Sequence, residues 1–455
     1  MSEHKSTSPW LAQLKQERPA FTLQGDTIAD IAIIGAGIAG VTTAYQILKT
    51  TKRHVLLLDA GRIAHGATGR NAGQVVNYFE RSFQSIVHAF GKDMAVQGQA
   101  AVESAWDILE GILKDCALET PLHMCVGYDG FCSMEKILDF LEEQLIREQT
   151  GLKIEPLLFR ANAELFDQIP VRLQHLVTQV PHSTILAMLQ TEDESFIAAD
   201  IAKKGCMNSA LFCEELVAWM IRVHGDRFRV VEHLPVETVL LRRDDAEIRT
   251  NRSVITARAA VLCTNGFENF SIENKAGEDI DTAFHSDVQG VIGYMAGYID
   301  EPNQVPAALC YYTEHQDSGP YYYLTRRPFD HASGTPQTLI CIGGPERILP
   351  DHAGYDPQQS FPADIEEQLD RGMRGTYHDS PPAASLSFLW QGLMCYTPNK
   401  LRRIGFEPKN KVLLYNLGCN GVGILPSIYG GKRIAQLLGG TRLPPSIFDP
   451  ENGGK

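Results

Sequence analysis

The run Asp30-Ile31-Ala32-Ile33-Ile34-Gly35-Ala36-Gly37-Ile38-Ala39-Gly40 constrains this chain more than any other stretch. Its first five residues are short, apolar and β-rich, as a fully buried parallel strand requires. A Gly-x-Gly-x-x-Gly turn follows, and then apolar residues at Val41, Ala44, Tyr45, Ile47 and Leu48 recur at helical spacing. A second buried strand, Val55-Leu56-Leu57-Leu58, ends on Asp59. That order predicts a dinucleotide-binding strand–turn–helix. Gly35 allows the tight turn, Gly37 lets a pyrophosphate approach the backbone, and Gly40 lets the helix pack close to the sheet. The N–H groups of Ile38 and Ala39 then begin a helix whose positive end faces the phosphates. Asp59, with Ala60 after it, stands where a carboxylate accepts hydrogen bonds from a ribose, which disfavours a 2′-phosphate and hence NADP. NAD and FAD both stay open on these residues.

Length and charge narrow the class. The chain has 455 residues, enough for two or more domains, and a formal net charge of −14. That acidic balance argues against a nucleic-acid surface. The ten cysteines are scattered without a Cys-x-x-Cys pair, so reduced thiols are expected and a metal site is not. Residues 1–25 are polar and charged, with no signal-peptide core, and no run is apolar enough to span a bilayer. A cytoplasmic enzyme is the expectation.

Residues 1–27 read as an irregular arm, pinned by Trp10 and Phe21. Residues 83–118 and 139–150 read as helical, the latter stopped by Gly151. Between them, 123–128 and 130–134 are strand candidates. A helix over 214–224 leads into a predicted β-meander at 228–232, 236–241, 246–250 and 253–257. A buried strand then ends in Thr264-Asn265-Gly266. Antiparallel strands are predicted at 290–298, 321–326 and 338–344, with Tyr321 and Tyr323 on one face and Tyr322 on the other. Residues 361–375 read as a solvated helix, and Pro381 and Pro382 mark a linker. Near the end, a strand over 412–417, the turn Gly418-Cys419-Asn420-Gly421-Val422-Gly423 and a helix through Leu438 repeat the strand–glycine turn–helix plan. This second helix start, around Gly421, Val422, Gly423 and Ile424, can stabilise negative charge on a bound ring.

The stretch Gly61 to Gln74 is rich in glycine and lacks acids. With Asp59 before it, its "GATGRNAG" resembles the flavin-contacting segment of the FAD-dependent glycine/D-amino-acid oxidase superfamily. The segments "GATGRNAGQVVN", "LCTNG", "WQG…TPNKL" and "GCNGVG" look most like the γ-glutamylputrescine oxidase group, and the resemblance covers residues 30–440. It implies FAD rather than NAD. It also implies an α/β fold, α+β overall: a Rossmann-like FAD-binding domain with a parallel sheet, and a substrate domain with a large antiparallel or mixed sheet and flanking helices. The discontinuous cofactor domain is expected at 28–115, 195–285 and 385–440, and the substrate domain at 116–194 and 286–384. Further cofactor contacts are implied at Ala67, Thr68, Arg70, Asn71, Ala72, Gly73 and Gln74, at Val236, and at Thr264, Asn265 and Gly266.

The implied chemistry is oxidation of an amine C–N bond by hydride transfer to flavin N5, the imine then hydrolysing, with oxygen or another acceptor reoxidising the flavin. Relatives that take amino acids often carry an arginine before the Thr-Pro segment. This chain has Met394 and Cys395 there, which favours an amine. Cys395 does not match a linking position, and Arg70 stands where some relatives have a linking histidine, so non-covalent FAD is expected. No catalytic acid or base is assigned. His65, Tyr323, Arg326 and Trp390 are pocket candidates. Arg326 or Arg327 would clamp a carboxylate if the chain were instead an amino-acid oxidase or dehydrogenase. A non-catalytic flavoprotein and an NAD-linked dehydrogenase are also compatible with the glycine turns.

Overall fold

The structure is a computed structural model that describes residues 7–14, 18–23, 25–267, 269–281, 288–302, 305–312, 321–330, 336–349, 354–377 and 385–454. The proposed linker prolines Pro381 and Pro382 lie outside them.

Two sheets organise the chain. In the first, of nine strands, Thr27–Ile34 lies between Val55–Leu58 and Val254–Leu262, parallel to both. Asn410–Leu417 adds on parallel beyond Val254–Leu262. Their stretches Ile31 to Ile34, Val55 to Leu58, Ala259 to Leu262 and Val412 to Leu417 are buried on both faces, which is why they read as apolar runs. The helices Ile38–Thr50 and Ile424–Leu438 cover one face and cross closely. A Cβ on Gly431 would stand 2.9 Å from the backbone of Thr42 and Thr43.

The meander differs from expectation in two ways. Phe228–Val231 is not part of it, but pairs parallel with Val55–Leu58 at the far edge of the sheet. The runs at 253–257 and 259–262 are one strand, Val254–Leu262, whose first half pairs antiparallel with Ala246–Thr250 and whose length pairs parallel with Thr27–Ile34. Apolar runs alone do not specify their partners.

The second sheet has eleven strands and is mixed. Gln289–Asp300 runs antiparallel to both Ser385–Tyr396 and Pro336–Leu349, and Tyr322–Asp330 follows on Pro336–Leu349. Ser385–Tyr396 and the strands Ala198–Asp200 and Ala202–Met207 lie in this sheet, although the expected boundaries grouped them with the cofactor unit.

The helical reading of 83–118 resolves into Phe83–Phe90, Lys92–Glu103 and Ala105–Asp115. Gly91, at φ 79°, makes the first break. The two short strands at 123–134 are one, Leu122–Phe131. The next helix starts at Met134 and stops at Gly151, in the left-handed region at φ 73°. Ala363–Arg371 carries its charges outward but buries Ile365 and Leu369, so it is amphipathic and not wholly solvated. The arm is not wholly irregular either: Pro9–Ala12 forms a helical turn capped by Ser8. Trp10 is fully buried, and its indole donates to the Asn71 carbonyl at 2.5 Å. Near Phe21, Arg18 pairs with Glu214 and Glu232 at 2.6 Å each.

Candidate active site

A cleft of about 440 Å³ runs from the first glycine turn to the second, between the two sheets. At the first turn, Gly35 has φ 102° and its Cβ would lie 2.6 Å from the Cys263 carbonyl oxygen. A Cβ on Gly40 would lie 1.8 Å from the Gly35 oxygen, so the helix approaches the turn as closely as backbone permits. The Thr68 hydroxyl accepts from the Ile38 N–H at 2.9 Å. Asp59 accepts from Ala36 N–H through one oxygen and from Gly61 N–H through the other, both at 2.7 Å. Burial raises its pKa, and those two N–H donors oppose the rise.

The second turn is held by side chains. Asn420 is left-handed at φ 46°, and its carboxamide oxygen accepts from the Thr397 N–H at 2.8 Å. Asn265 accepts from the Cys419 N–H, also at 2.8 Å. Arg402 spends its guanidinium on Asn416 and the Gly418 carbonyl. The helix from Ile424 therefore begins at the cleft, with its first N–H groups lacking intrahelical acceptors.

Between the turns an extended segment runs along the wall. Gln74, Val76, Tyr78 and Glu80 all line the cleft, the alternation of an extended chain. The buried Gln74 carboxamide nitrogen has no hydrogen-bond partner among the described residues. At the far end stand Tyr321, Tyr323 and Glu346. The Tyr321 hydroxyl donates to Glu80 at 3.2 Å, and the Tyr321 and Tyr323 rings are tilted with centroids 5.7 Å apart. Burial raises the Glu80 pKa, against the lowering hydrogen bond from Tyr321. Glu346 is exposed to solvent, yet enough protein surrounds it to push its carboxyl up to about 7, with Glu80 adding to the shift.

Most of the residues singled out from the sequence meet here. Gly35, Gly37, Ile38, Ala39, Asp59, Ala60, Ala67, Thr68, Arg70, Asn71, Ala72 and Gln74 line the cleft, as do Val236, Thr264, Asn265, Gly421, Val422, Gly423, Ile424 and Tyr323. Gly40, Gly73 and Gly266 stand behind the wall. Their spaces are filled by the Gly35 oxygen, the Trp10 ring and the Cys395 sulfur.

Three pocket candidates are elsewhere. His65 faces the Ile63 carbonyl at 2.9 Å. Trp390 is fully buried, edge-on to Trp10. Arg326 shares the parity of Tyr322, so it points away from the cleft, donating to the Tyr377 hydroxyl at 2.6 Å and to Gln190 at 3.0 Å. Arg327 has the parity of Tyr323 but lies under Trp10, 4.1 Å from the ring centroid, and does not line the cleft.

The sequence reading missed Tyr78, Glu80 and Glu346 as cleft residues, and it named Tyr323 but not Tyr321, although it set the two on one face. The alternation continuing past Gln74 carried the signal for the first two, and the parity of Tyr323 carried it for Tyr321.

Two helix starts, a ribose-compatible acid, close-approach glycines and an unsatisfied carboxamide fit a flavin dinucleotide. Among the described residues no cluster suits a metal ion, and no helix is long and apolar enough to cross a membrane.

Comparison with known proteins agrees with that geometry. The profile of the family described as "DAO: FAD dependent oxidoreductase" matches residues 30–437. A probable oxidoreductase, OrdL, of Haemophilus influenzae is 21% identical over 239 residues, covering 52% of this chain and 49% of that one. The γ-glutamylputrescine oxidoreductase of Escherichia coli is 35% identical over 95 residues, covering 21% of this chain and 22% of that one. The match thus spans about half the length of the first relative and about a fifth of the second. Among solved structures, glycine oxidase from Geobacillus kaustophilus superposes with a TM-score of 0.66 at 17% identity, covering 93% of this chain and 98% of that one, which shows a shared fold.

Proposed function

The chain belongs to the FAD dependent oxidoreductase family, and on that premise we propose that it oxidises the C–N bond of an amine, the resulting imine being hydrolysed to a carbonyl compound and ammonia or a smaller amine. One observation carries this reading. The inner end of the cleft presents the carboxylates Glu80 and Glu346 among tyrosines, while Arg326, Arg327 and Arg402 are committed elsewhere. An ammonium suits such a wall, and a substrate carboxylate would meet like charge there. The similarity to γ-glutamylputrescine oxidoreductase supports the same class.

FAD, when bound, supplies the two-electron acceptor for this chemistry. The first glycine turn, with the helix start at Ile38, would hold its diphosphate, and Asp59 its ribose. The segment Ala67 to Gln74, with Val236, Thr264 and Asn265, would line its length without a covalent link. The N–H groups from Gly421 to Ile424 would stabilise charge on its ring. A Cβ on Gly421 would lie 2.7 Å from the Glu80 carboxylate, so that acid sits against the second turn, where the reacting carbon must lie. Glu80 holds the ammonium there. Its raised pKa brings it closer to that of an amine, easing transfer of the proton that the amine must lose. The tyrosine rings displace water from the reacting carbon. Oxygen or another acceptor takes the electrons onward. All ten cysteines are free thiols, which supports a cytoplasmic setting.

The amino-acid reading keeps one supporting residue, Arg70, which lines the cleft. Anaerobic reduction of the bound flavin decides between the two. Bleaching by simple amines and not by D- or L-amino acids is expected. Bleaching by amino acids alone, abolished in Arg70→Ala, would replace the amine with an amino acid.

A further inference from the structure

We propose that the inner end of the cleft recognises a substrate with two positive charges, a diamine or polyamine, with one ammonium at Glu80 and the other at Glu346. This rests on the amine reading and narrows it. Neither carboxylate has an ion-pair partner among the described residues. Glu80 has a hydrogen bond from Tyr321, and Lys400 is the one cation in its electrostatic surroundings. Glu346 has none, and feels the charge of Glu80 instead. Arg70, the cleft's remaining guanidinium, has Tyr355 and Asp356 as its electrostatic neighbours, not these acids.

Glu80 and Glu346 line the same cleft, and the charge of Glu80 disfavours ionisation of Glu346. A single ammonium relieves one of them. A dication relieves both, and converts their repulsion into affinity.

The walls point the same way. Tyr78 and Tyr323 are half-buried and line the cleft, and their hydroxyls have no hydrogen-bond partner among the described residues. Tyr312 stacks on Tyr321 with centroids 5.2 Å apart, and Tyr321 leans on Tyr323. Tyrosine faces attract ammonium groups, and free hydroxyls accept hydrogen bonds from them. The chain's net charge of −14 draws a dication toward the protein more strongly than a monocation.

The test uses the FAD-loaded enzyme and two homologous series: diamines from 1,3-diaminopropane to 1,6-diaminohexane, and 1-aminoalkanes of matching length. The rate of anaerobic flavin reduction is read against concentration. The best diamine is expected to exceed its monoamine at least tenfold in the apparent second-order rate constant. Glu346→Gln is expected to shrink that ratio to less than threefold, with the loss falling on the concentration dependence.

Equal rates for the two series, or a ratio untouched by Glu346→Gln, would overturn the two-charge assignment while leaving amine oxidation standing. Reduction by amino acids but by neither series would overturn the amine reading itself. A measurement on the unmutated protein guards against a variant that fails to fold. A bis(trimethylammonium)alkane, which has no oxidisable N–H, should perturb the flavin absorbance at concentrations at least tenfold below the matching mono(trimethylammonium) compound. Equal potency would count against the proposal.

Discussion

The two glycine turns are built from the same plan and fail differently. At the first, the backbone leaves no room: Gly35 and Gly40 each have another main-chain oxygen where a side chain would begin. Its acid, Asp59, also ties Ala36 and Gly61 together. At the second, the nearest obstacle to a side chain on Gly421 is the Glu80 carboxylate, and the turn's shape is set by Asn265, Thr397 and Asn420. The first turn is therefore a rigid piece of the fold that also suits a diphosphate. The second couples a helix start directly to a side chain of the substrate end. Side chains can yield where backbone cannot, so substitutions at the two should separate stability from turnover.

The largest effect is expected at Gly40→Ala. Its Cβ would meet the Gly35 oxygen at 1.8 Å, and helix and strand must part to admit it. A loss of about 3 kcal/mol is expected from such overpacking, read as a lower denaturant midpoint at unchanged slope. A variant as stable as the parent would show that the turn is not rigid.

Asp59→Ala comes next. Removing a charged acceptor should weaken FAD retention by about 1.5–3 kcal/mol, which is about 10- to 150-fold in Kd. Dialysis against a flavin-free buffer, followed by absorbance, measures it. Full flavin retention would confine Asp59 to holding the turn.

At Gly421→Ala the contrast should show most clearly. The residue is left-handed at φ 77°, and its new Cβ would displace Glu80. Strain of about 1–2 kcal/mol is expected, with FAD still bound and amine reduction of the flavin slowed about tenfold, the equivalent of about 1.4 kcal/mol in the barrier. Loss of flavin instead would make the two turns equivalent.

The smallest effect concerns pH. Glu346 has its carboxyl raised to about 7 by its surroundings and by Glu80, with Tyr323 and Tyr396 also feeling its charge. A carboxyl whose folded pKa is raised contributes stability below the ordinary carboxylate range and loses it as pH rises through about 7. The protein should thus melt slightly lower at pH 8 than at pH 6, by less in Glu346→Gln. Solvent reaches this group, so the shift should be modest.

Sequence legibility followed the physics of each element. The strand–turn–helix around Gly35 could be read because its determinants are local: close-approach glycines, a buried strand and an acid at fixed distance. Gly151 stopped its helix for an equally local reason, a left-handed cap. The alternation of Tyr321, Tyr322 and Tyr323 was right because parity is fixed by the pleat. Applied to Arg326, which the sequence reading kept as a pocket candidate, the same parity would have turned it away from the cleft, and extended from Gln74 it would have reached Tyr78 and Glu80.

By itself, then, the sequence determined that a dinucleotide turn, a flavin-type segment and a second glycine turn exist, and which residues alternate on each strand. Tertiary structure alone decided which strands are neighbours. It sent Phe228–Val231 to the far edge beside Val55–Leu58, placed Ser385–Tyr396 in the mixed sheet, and put Arg327 under Trp10 rather than in the cleft. It alone brought Glu80 and Glu346, 266 positions apart, into one electrostatic field. Periodicity fixes the face a side chain takes, but the partner across the gap depends on long-range pairing, and apolar runs of similar composition compete for it on nearly equal terms.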